Sequence, residues 1–305
     1  MSPSPRIAVA PEGAPAWVHE AVTAGGGELV APAQAEGLVW FGGPDAGRFE
    51  PVLAAAPDAR WVQLPWAGVE PYLHLLDPDR TWTCGKGVYA EPVAEHALAL
   101  ALAGLRELPA RAAAPRWGDQ GGRSLFDGRV TVLGGGGITE ALLGLLSPFR
   151  CEVTVVRRHP SPLDGAASVV GPDGLHGALA TADVVVIALA LTPETIGIID
   201  AGALARMAPH AWLVNVGRGA HVVTDHLVEA LAAGVIGGAA LDVTDPEPLP
   251  DDHPLWAEPR CLITPHTANT LAMARPHVTK RITENVRRFA AGEPLVGLVD
   301  LALGY

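Results

Sequence analysis

Val130-Thr-Val-Leu-Gly-Gly-Gly-Gly-Ile-Thr139 runs from a short β-branched stretch into a run of glycines and then into helix-compatible residues. Residues of this kind fit a buried strand, a tight turn and a helix start. The N–H groups at such a helix start carry partial positive charge, where a pyrophosphate can rest. Gly134 and Gly136 supply the first two positions of the G-x-G-x-x-G pattern, and Gly137 and Ile138 open the helix. Thr139 replaces the third glycine, which predicts slightly wider packing of helix on strand. A bare glycine turn would look the same locally, so the surrounding strand order has to decide.

Working outward, the next strand is expected at 152–156 and ends in Arg157, Arg158 and His159. A site selective for NAD places an acidic residue at this point, on the ribose 2′-hydroxyl. Two guanidiniums can instead hold a 2′-phosphate through charge-assisted bonds, so NADP(H) is expected over NAD(H). The alternative is an ordinary solvated loop. Further strands are expected at 184–189, 212–216, 237–241 and 261–263, making six with 130–133 and 152–156, in a doubly wound parallel sheet. Upstream runs at 6–10, 37–40 and 61–64 predict a second, smaller layered domain. The class is therefore α/β.

A helix is expected from Pro92 to Pro109, with Leu98, Leu102, Leu105 and Leu108 at helical spacing, as a hinge between the domains. The glycine- and alanine-rich stretch 109–127 reads as a surface connection. The helical stretch 270–291 would return the chain to the first domain.

Three residues follow the later strands and suggest chemistry. Arg218 lies in Asn215-Val-Gly-Arg-Gly219, Glu247 in Asp242-Val-Thr-Asp-Pro-Glu-Pro-Leu249, and His266 in Thr264-Pro-His266. Hydride arriving at a keto carbon leaves negative charge on oxygen, so a cation and a proton donor lower the barrier. Arg218 could supply the cation and hold a carboxylate with its planar fork. His266 would be the acid in reduction and the base in oxidation, with Glu247 stabilising the imidazolium. Singly, each has a bland reading: a turn arginine, a solvated loop carboxylate, a structural histidine. The remaining histidines, His96 and His221 among them, are taken as structural or surface residues.

The formal net charge of −12, without a lysine/arginine-rich run, argues against nucleic acid as a partner. Cys84, Cys151 and Cys261 are far apart and form neither a disulfide framework nor a metal motif, so no metal is expected and the compartment is read as reducing cytoplasm. No signal peptide or membrane span is expected, because the longest apolar stretch carries Glu95 and His96.

With these motifs together, from Val62-Gln-Leu-Pro-Trp-Ala-Gly-Val69 through Ala94-Glu-His96, the glycine turn, Leu191-Thr-Pro-Glu-Thr195 and Ala240-Leu-Asp-Val243 to Thr264-Pro-His266, the chain resembles the D-isomer-specific 2-hydroxyacid dehydrogenases. That family includes glyoxylate and hydroxypyruvate reductases. The resemblance implies two doubly wound (Rossmann/flavodoxin-like) domains with an interdomain active-site cleft. The substrate domain would be discontinuous, 1–97 plus 271–305, around a dinucleotide domain at 98–270. It places Arg218, Glu247 and His266 on the catalytic residues and Ala67, Gly68 and Val69 on the substrate-carboxylate loop, with Trp66 narrowing access. Leu189, Thr195, Val216, Asp242 and His266 would flank the cofactor. A small 2-keto acid and a homodimeric partner are further implications. A non-enzymatic dinucleotide sensor or corepressor, or an enzyme like D-3-phosphoglycerate dehydrogenase, stays open as an alternative. Ala190 and Asn269 depart from the family pattern, where proline and glycine or serine are usual.

Overall fold

Short apolar runs become parallel strands along the whole chain, whose computed structural model describes residues 4–304. Two units form, one ending at Tyr89 and resuming at Thr270, the other spanning Ala90–Asn269. The expected junction at 97/98 would cut a helix, Ala90–Leu105, that the structure keeps whole. This helix packs along another helix of the second unit, to which it belongs.

In the first unit, among the described residues, five parallel strands are β1 (Arg6–Ala10), β2 (Glu28–Leu29), β3 (Gly37–Trp40), β4 (Trp61–Gln63) and β5 (Thr81–Thr83), ordered β2-β1-β3-β4-β5. Every residue of β3 and β4 is buried, as expected of strands covered on both faces. The helix Ala16–Ala24 (α1) meets the long helix Leu271–Ala291 so closely that a Cβ added at Gly25 would lie 2.7 Å from the Thr283 carbonyl oxygen. A buried polar chain pins this helix to the sheet. Trp61 donates to the Thr83 hydroxyl at 2.8 Å, Thr83 donates to Gln63 Oε1 at 2.9 Å, and Asn285 Nδ2 donates to the same oxygen at 2.9 Å. Asn285 is wholly buried, so satisfying its amide matters to stability.

In the second unit, among the described residues, seven parallel strands are β6 (Arg129–Leu133), β7 (Glu152–Val156), β8 (Ser168–Val170), β9 (Val184–Ile187), β10 (Trp212–Asn215), β11 (Gly238–Leu241) and β12 (Cys261–Ile263). Their order is β12-β11-β10-β9-β6-β7-β8. The six expected strands are all present, and β8 is added at one edge. The chain winds outward from β6 in one direction, then returns to β9 and winds outward in the other. The junction of β6 and β9 is thus a topological switch point, where α/β sheets bind ligands. The helix Ala90–Leu105 seats on β10, since a Cβ at Gly104 would fall 2.3 Å from the Trp212 ring. Residues 113–124 are exposed throughout, with Trp117 at 98%. No helix among the described residues is long and apolar enough to cross a membrane.

Candidate active site

Parallel strands bring all their carboxyl ends to one edge, and the candidate residues of the second unit gather there. Gly134–Ile138 follow β6, Arg157 and Arg158 follow β7, Leu189–Thr195 follow β9, Val216–Arg218 follow β10, Asp242 and Glu247 follow β11, and His266 follows β12. From β7 to β12 is five strand spacings in the sheet order, which at ~4.8 Å each makes roughly 24 Å. An extended dinucleotide with a small acid at its far end covers such a span.

Gly134 has φ +114, and a Cβ there would lie 2.3 Å from the Ala188 carbonyl oxygen. Both conformation and close approach to the end of β9 therefore require glycine. Gly136 is exposed and caps the helix Gly137–Leu146, with open space where a side chain would project. That opening leaves room for an anion against the first N–H groups of the helix, so the turn fits a pyrophosphate. Thr139 does not stand loosely in the third glycine position. It is fully buried, and its hydroxyl donates to the Gly134 carbonyl at 2.9 Å, which ties the helix to the turn.

The two arginines differ in setting. Arg157 lies against the turn, close enough that a Cβ at Gly135 would come within 2.8 Å of its Cδ. Arg158 donates to Glu194 at 3.2 Å, reaching the loop after β9. Thr195 Oγ1 accepts from the Thr192 amide at 2.8 Å and lies 2.9 Å from the Ala190 carbonyl, so its hydroxyl organises that loop from within.

Asp242 is 2% exposed and is the hub of the loops that follow β11 and β12. One carboxylate oxygen accepts from Thr264 Oγ1 at 2.6 Å and from the Thr267 amide at 2.9 Å, and the other accepts from the Ala268 amide at 3.0 Å. His96 Nε2 lies 3.1 Å from Thr264 Oγ1 and 3.3 Å from the same carboxylate. Because the Thr264 hydroxyl already donates to Asp242, His96 Nε2 carries the proton and donates. Burial by itself would raise this carboxyl, but the hydrogen bonds from His96, Thr264, Thr267 and Ala268 outweigh burial and hold it down at about 2. Expected only beside a cofactor, Asp242 has both oxygens engaged in anchoring the loop that carries His266.

His266 adopts a left-handed backbone, φ +49, uncommon outside glycine, and its amide donates to the Asp242 carbonyl at 2.8 Å. Strained residues of this sort gather at functional sites. Its Nδ1 lies 2.6 Å from Glu247 Oε1. The carboxylate fixes the tautomer, leaving Nε2 free to exchange a proton with a ligand. Three residues on, Asn269 Oδ1 is buried without a hydrogen-bond partner among the described residues.

Arg218 sits in a loop locked from several sides. Its carbonyl accepts from Asn215 Nδ2 at 2.9 Å, its amide donates to His221 Nδ1 at 3.1 Å, and its Nη1 donates to the Gly217 carbonyl at 2.8 Å. A Cβ at Gly219 would fall 1.9 Å from the Thr244 carbonyl oxygen, so this loop presses directly on the one leading to Glu247. His96 and His221, set aside in the sequence as structural or surface, touch Asp242 and Arg218 respectively. The i to i+3 spacing of Arg218 and His221 across a tight turn was the available signal.

In the first unit, Trp66, Ala67, Gly68 and Val69 form the loop at the carboxyl end of β4. Trp66 is half-buried between Phe41 and Tyr89, each with ring centroid 6.1 Å away, and its carbonyl accepts from the Gly85 amide at 2.8 Å. Tyr89 donates to the Pro65 carbonyl. Val69 is wholly buried. Among the described residues no group of three or more His, Cys, Asp or Glu side chains could hold a metal ion.

Comparison with known proteins gives this edge a family. Residues 96–268 match the model of the D-isomer specific 2-hydroxyacid dehydrogenase NAD binding domain. Glyoxylate/hydroxypyruvate reductase A of Serratia proteamaculans is 37% identical over 58% of this chain and 56% of its own, so the match spans little more than half of that relative. A D-isomer specific 2-hydroxyacid dehydrogenase of Xanthobacter autotrophicus, solved with NADPH and MES, superposes with TM-score 0.87 at 30% identity, covering 99% of this chain and 100% of its own. The NADPH-dependent glyoxylate/hydroxypyruvate reductase of Sinorhizobium meliloti, solved with NADP and sulfate, has TM-score 0.84 at 26% identity over 99% and 100%. The chain belongs to the D-isomer specific 2-hydroxyacid dehydrogenase family.

Proposed function

We propose that this protein reduces a small 2-keto acid, glyoxylate or hydroxypyruvate, to the 2-hydroxy acid with NADPH preferred over NADH. The observation that carries the reading is the 2.6 Å contact of His266 Nδ1 with Glu247, on loops of neighbouring strands beside the Arg218 loop. The exposed turn at Gly136 and Gly137 would hold the pyrophosphate, and Arg157 with Arg158 would hold a 2′-phosphate. When bound, the reduced nicotinamide supplies a hydride to the keto carbon.

His266 Nε2 would deliver the proton to the carbonyl oxygen as negative charge develops there. Glu247, accepting from Nδ1, would hold the ring with Nε2 toward the substrate. Arg218 would pair with the substrate carboxylate and stabilise charge on the oxygen, its fork suited to a planar anion. In the oxidative direction His266 would take the proton back. The NADP(H)-bound states of the Xanthobacter and Sinorhizobium structures support the cofactor choice, and the reductase names of the Serratia and Sinorhizobium proteins support the substrate class.

The test is the initial rate of absorbance loss at the nicotinamide band with glyoxylate or hydroxypyruvate, with NADPH and NADH in parallel. Faster turnover with NADPH is expected. Faster turnover with NADH would remove the phosphate role of the arginines. Cofactor binding without turnover of any 2-keto acid would overturn the enzymatic reading in favour of a sensor.

A further inference from the structure

We infer that His221 is a positioning residue for Arg218, acting through the acceptor its Nδ1 offers the Arg218 amide. The inference rests on the proposed role of Arg218 and adds a residue to that site.

His221 is 0% exposed, and both of its ring nitrogens lie within hydrogen-bond reach of backbone groups of the two loops. Nδ1 lies 3.1 Å from the Arg218 amide nitrogen and 3.0 Å from the Arg218 carbonyl oxygen, and Nε2 lies 3.3 Å from the Ala190 carbonyl oxygen. One arrangement satisfies both sides of the ring: Nε2 carries the proton and donates to Ala190, and Nδ1 accepts from the Arg218 amide. The opposite tautomer would point a bare Nε2 at a carbonyl oxygen and withdraw the acceptor from the Arg218 amide. With Asn215 Nδ2 donating to the Arg218 carbonyl, both backbone groups of Arg218 are then held by side chains.

The ring is also gripped sterically. A Cβ at Gly217 would stand 3.1 Å from His221 Nδ1, so glycine at that position lets the imidazole close over the loop. The Ala190 carbonyl that receives Nε2–H also lies 2.9 Å from Thr195 Oγ1, the bond that organises the β9 loop. His221 therefore sets the backbone from which the Arg218 guanidinium projects, while its Nε2–H toward Ala190 fixes which tautomer faces Arg218. A displacement of about 1 Å in such a group is enough to cost activity heavily.

Two conservative variants separate the two ends of the ring. In His221→Asn the amide oxygen takes the place of Nδ1 and keeps the acceptor for Arg218. In His221→Gln the amide nitrogen takes the place of Nε2 and keeps the donor for Ala190 while the Arg218 acceptor is lost. The readouts are KM and kcat for glyoxylate, the Kd of oxamate measured by quenching of bound NADPH fluorescence, the Kd of NADPH itself, and Tm. For His221→Gln we expect KM and oxamate Kd to rise roughly tenfold, as for loss of one positioning hydrogen bond, with NADPH Kd changed less than about twofold. His221→Asn should restore both to within about threefold of the parent.

Equal losses in the two variants, or losses that follow Tm and NADPH Kd together, would mean that His221 only fills space, and would overturn the inference. A parent protein that neither reduces a 2-keto acid nor binds oxamate would instead remove the role of Arg218, and the inference with it. His221→Leu, lacking both contacts, should match His221→Gln in KM if it remains folded by Tm. A parent-like KM in the leucine variant would also overturn the inference.

Discussion

His266 and Glu247 meet at 2.6 Å although both side chains are about half exposed, at 52% and 43%. Exposed ion pairs add little stability, typically under about 1 kcal/mol. The contact is better understood as orienting the imidazole. Glu247→Gln should leave Tm within a few degrees while lowering kcat for reduction roughly 10- to 100-fold, with KM changed much less. His266→Ala should lower kcat by about 10²- to 10⁴-fold. Steady-state kinetics beside a thermal melt would separate these effects, and an unchanged kcat in either variant would remove the pair from the reaction.

Asp242 ties stability to pH. Its folded carboxyl is held at about 2, below the ordinary 3.8, so folding favours the ionised form. That contribution is fully present above about pH 4 and is lost as pH falls through about 2. Integrated over the shift it is of order 2 kcal/mol. Asp242→Asn should remove this acid limb, and it should also set an amide donor against the Thr267 or Ala268 amide, costing about 2–4 kcal/mol at neutral pH. Denaturant titrations at pH 7 and pH 2 would read both. A variant whose deficit is as large at pH 2 as at pH 7 would refute the linkage.

The sheet was readable in the sequence where strands are buried on both faces, because Val184-Val-Val-Ile187 and Trp212-Leu-Val214 read as unbroken apolar runs. The strands that escaped are Glu28–Leu29, Thr81–Thr83 and Ser168–Val170. All three lie at sheet edges, are two or three residues long and mix polar with apolar side chains, so no run marks them. Arg218, Glu247 and His266 were legible by residue type and by their place after strands. The bonds that hold them were not. Asp242 reaches Thr267 and Ala268 only because β11 and β12 are neighbours, a pairing between residues 25 and 26 positions apart.

Arg158 is shared between Glu194 and any 2′-phosphate, since it already donates to that carboxylate at 3.2 Å. Glu194→Gln should free the guanidinium and raise the preference for NADPH over NADH several-fold at low ionic strength, less at 0.5 M salt. Arg157→Asp with Arg158→Ser should reverse the preference by at least about tenfold in kcat/KM, replacing cations with a group that repels phosphate and accepts from a ribose hydroxyl. Parallel kcat/KM measurements with both cofactors decide it; an unmoved ratio in the double variant would mean that neither arginine reads the 2′ position.

Gly219 and Gly134 are expected to fail differently when changed to alanine. At Gly219 the obstacle is backbone: the added Cβ would lie 1.9 Å from the Thr244 carbonyl oxygen and 2.5 Å from the Asp245 amide nitrogen, so the Arg218 and Glu247 loops must separate. Gly219→Ala should therefore damage keto-acid reduction by about 100-fold or more while NADPH binding persists, because the glycine turn after β6 is untouched. At Gly134 the Cβ would strike the Ala188 carbonyl at 2.3 Å with φ at +114, so Gly134→Ala should abolish dinucleotide binding before it affects anything else. Fluorescence titration with NADPH and steady-state rates on both variants separate the two sites. If Gly219→Ala lost cofactor affinity as severely as Gly134→Ala, the division of this sheet edge into a dinucleotide half and a catalytic half would be wrong.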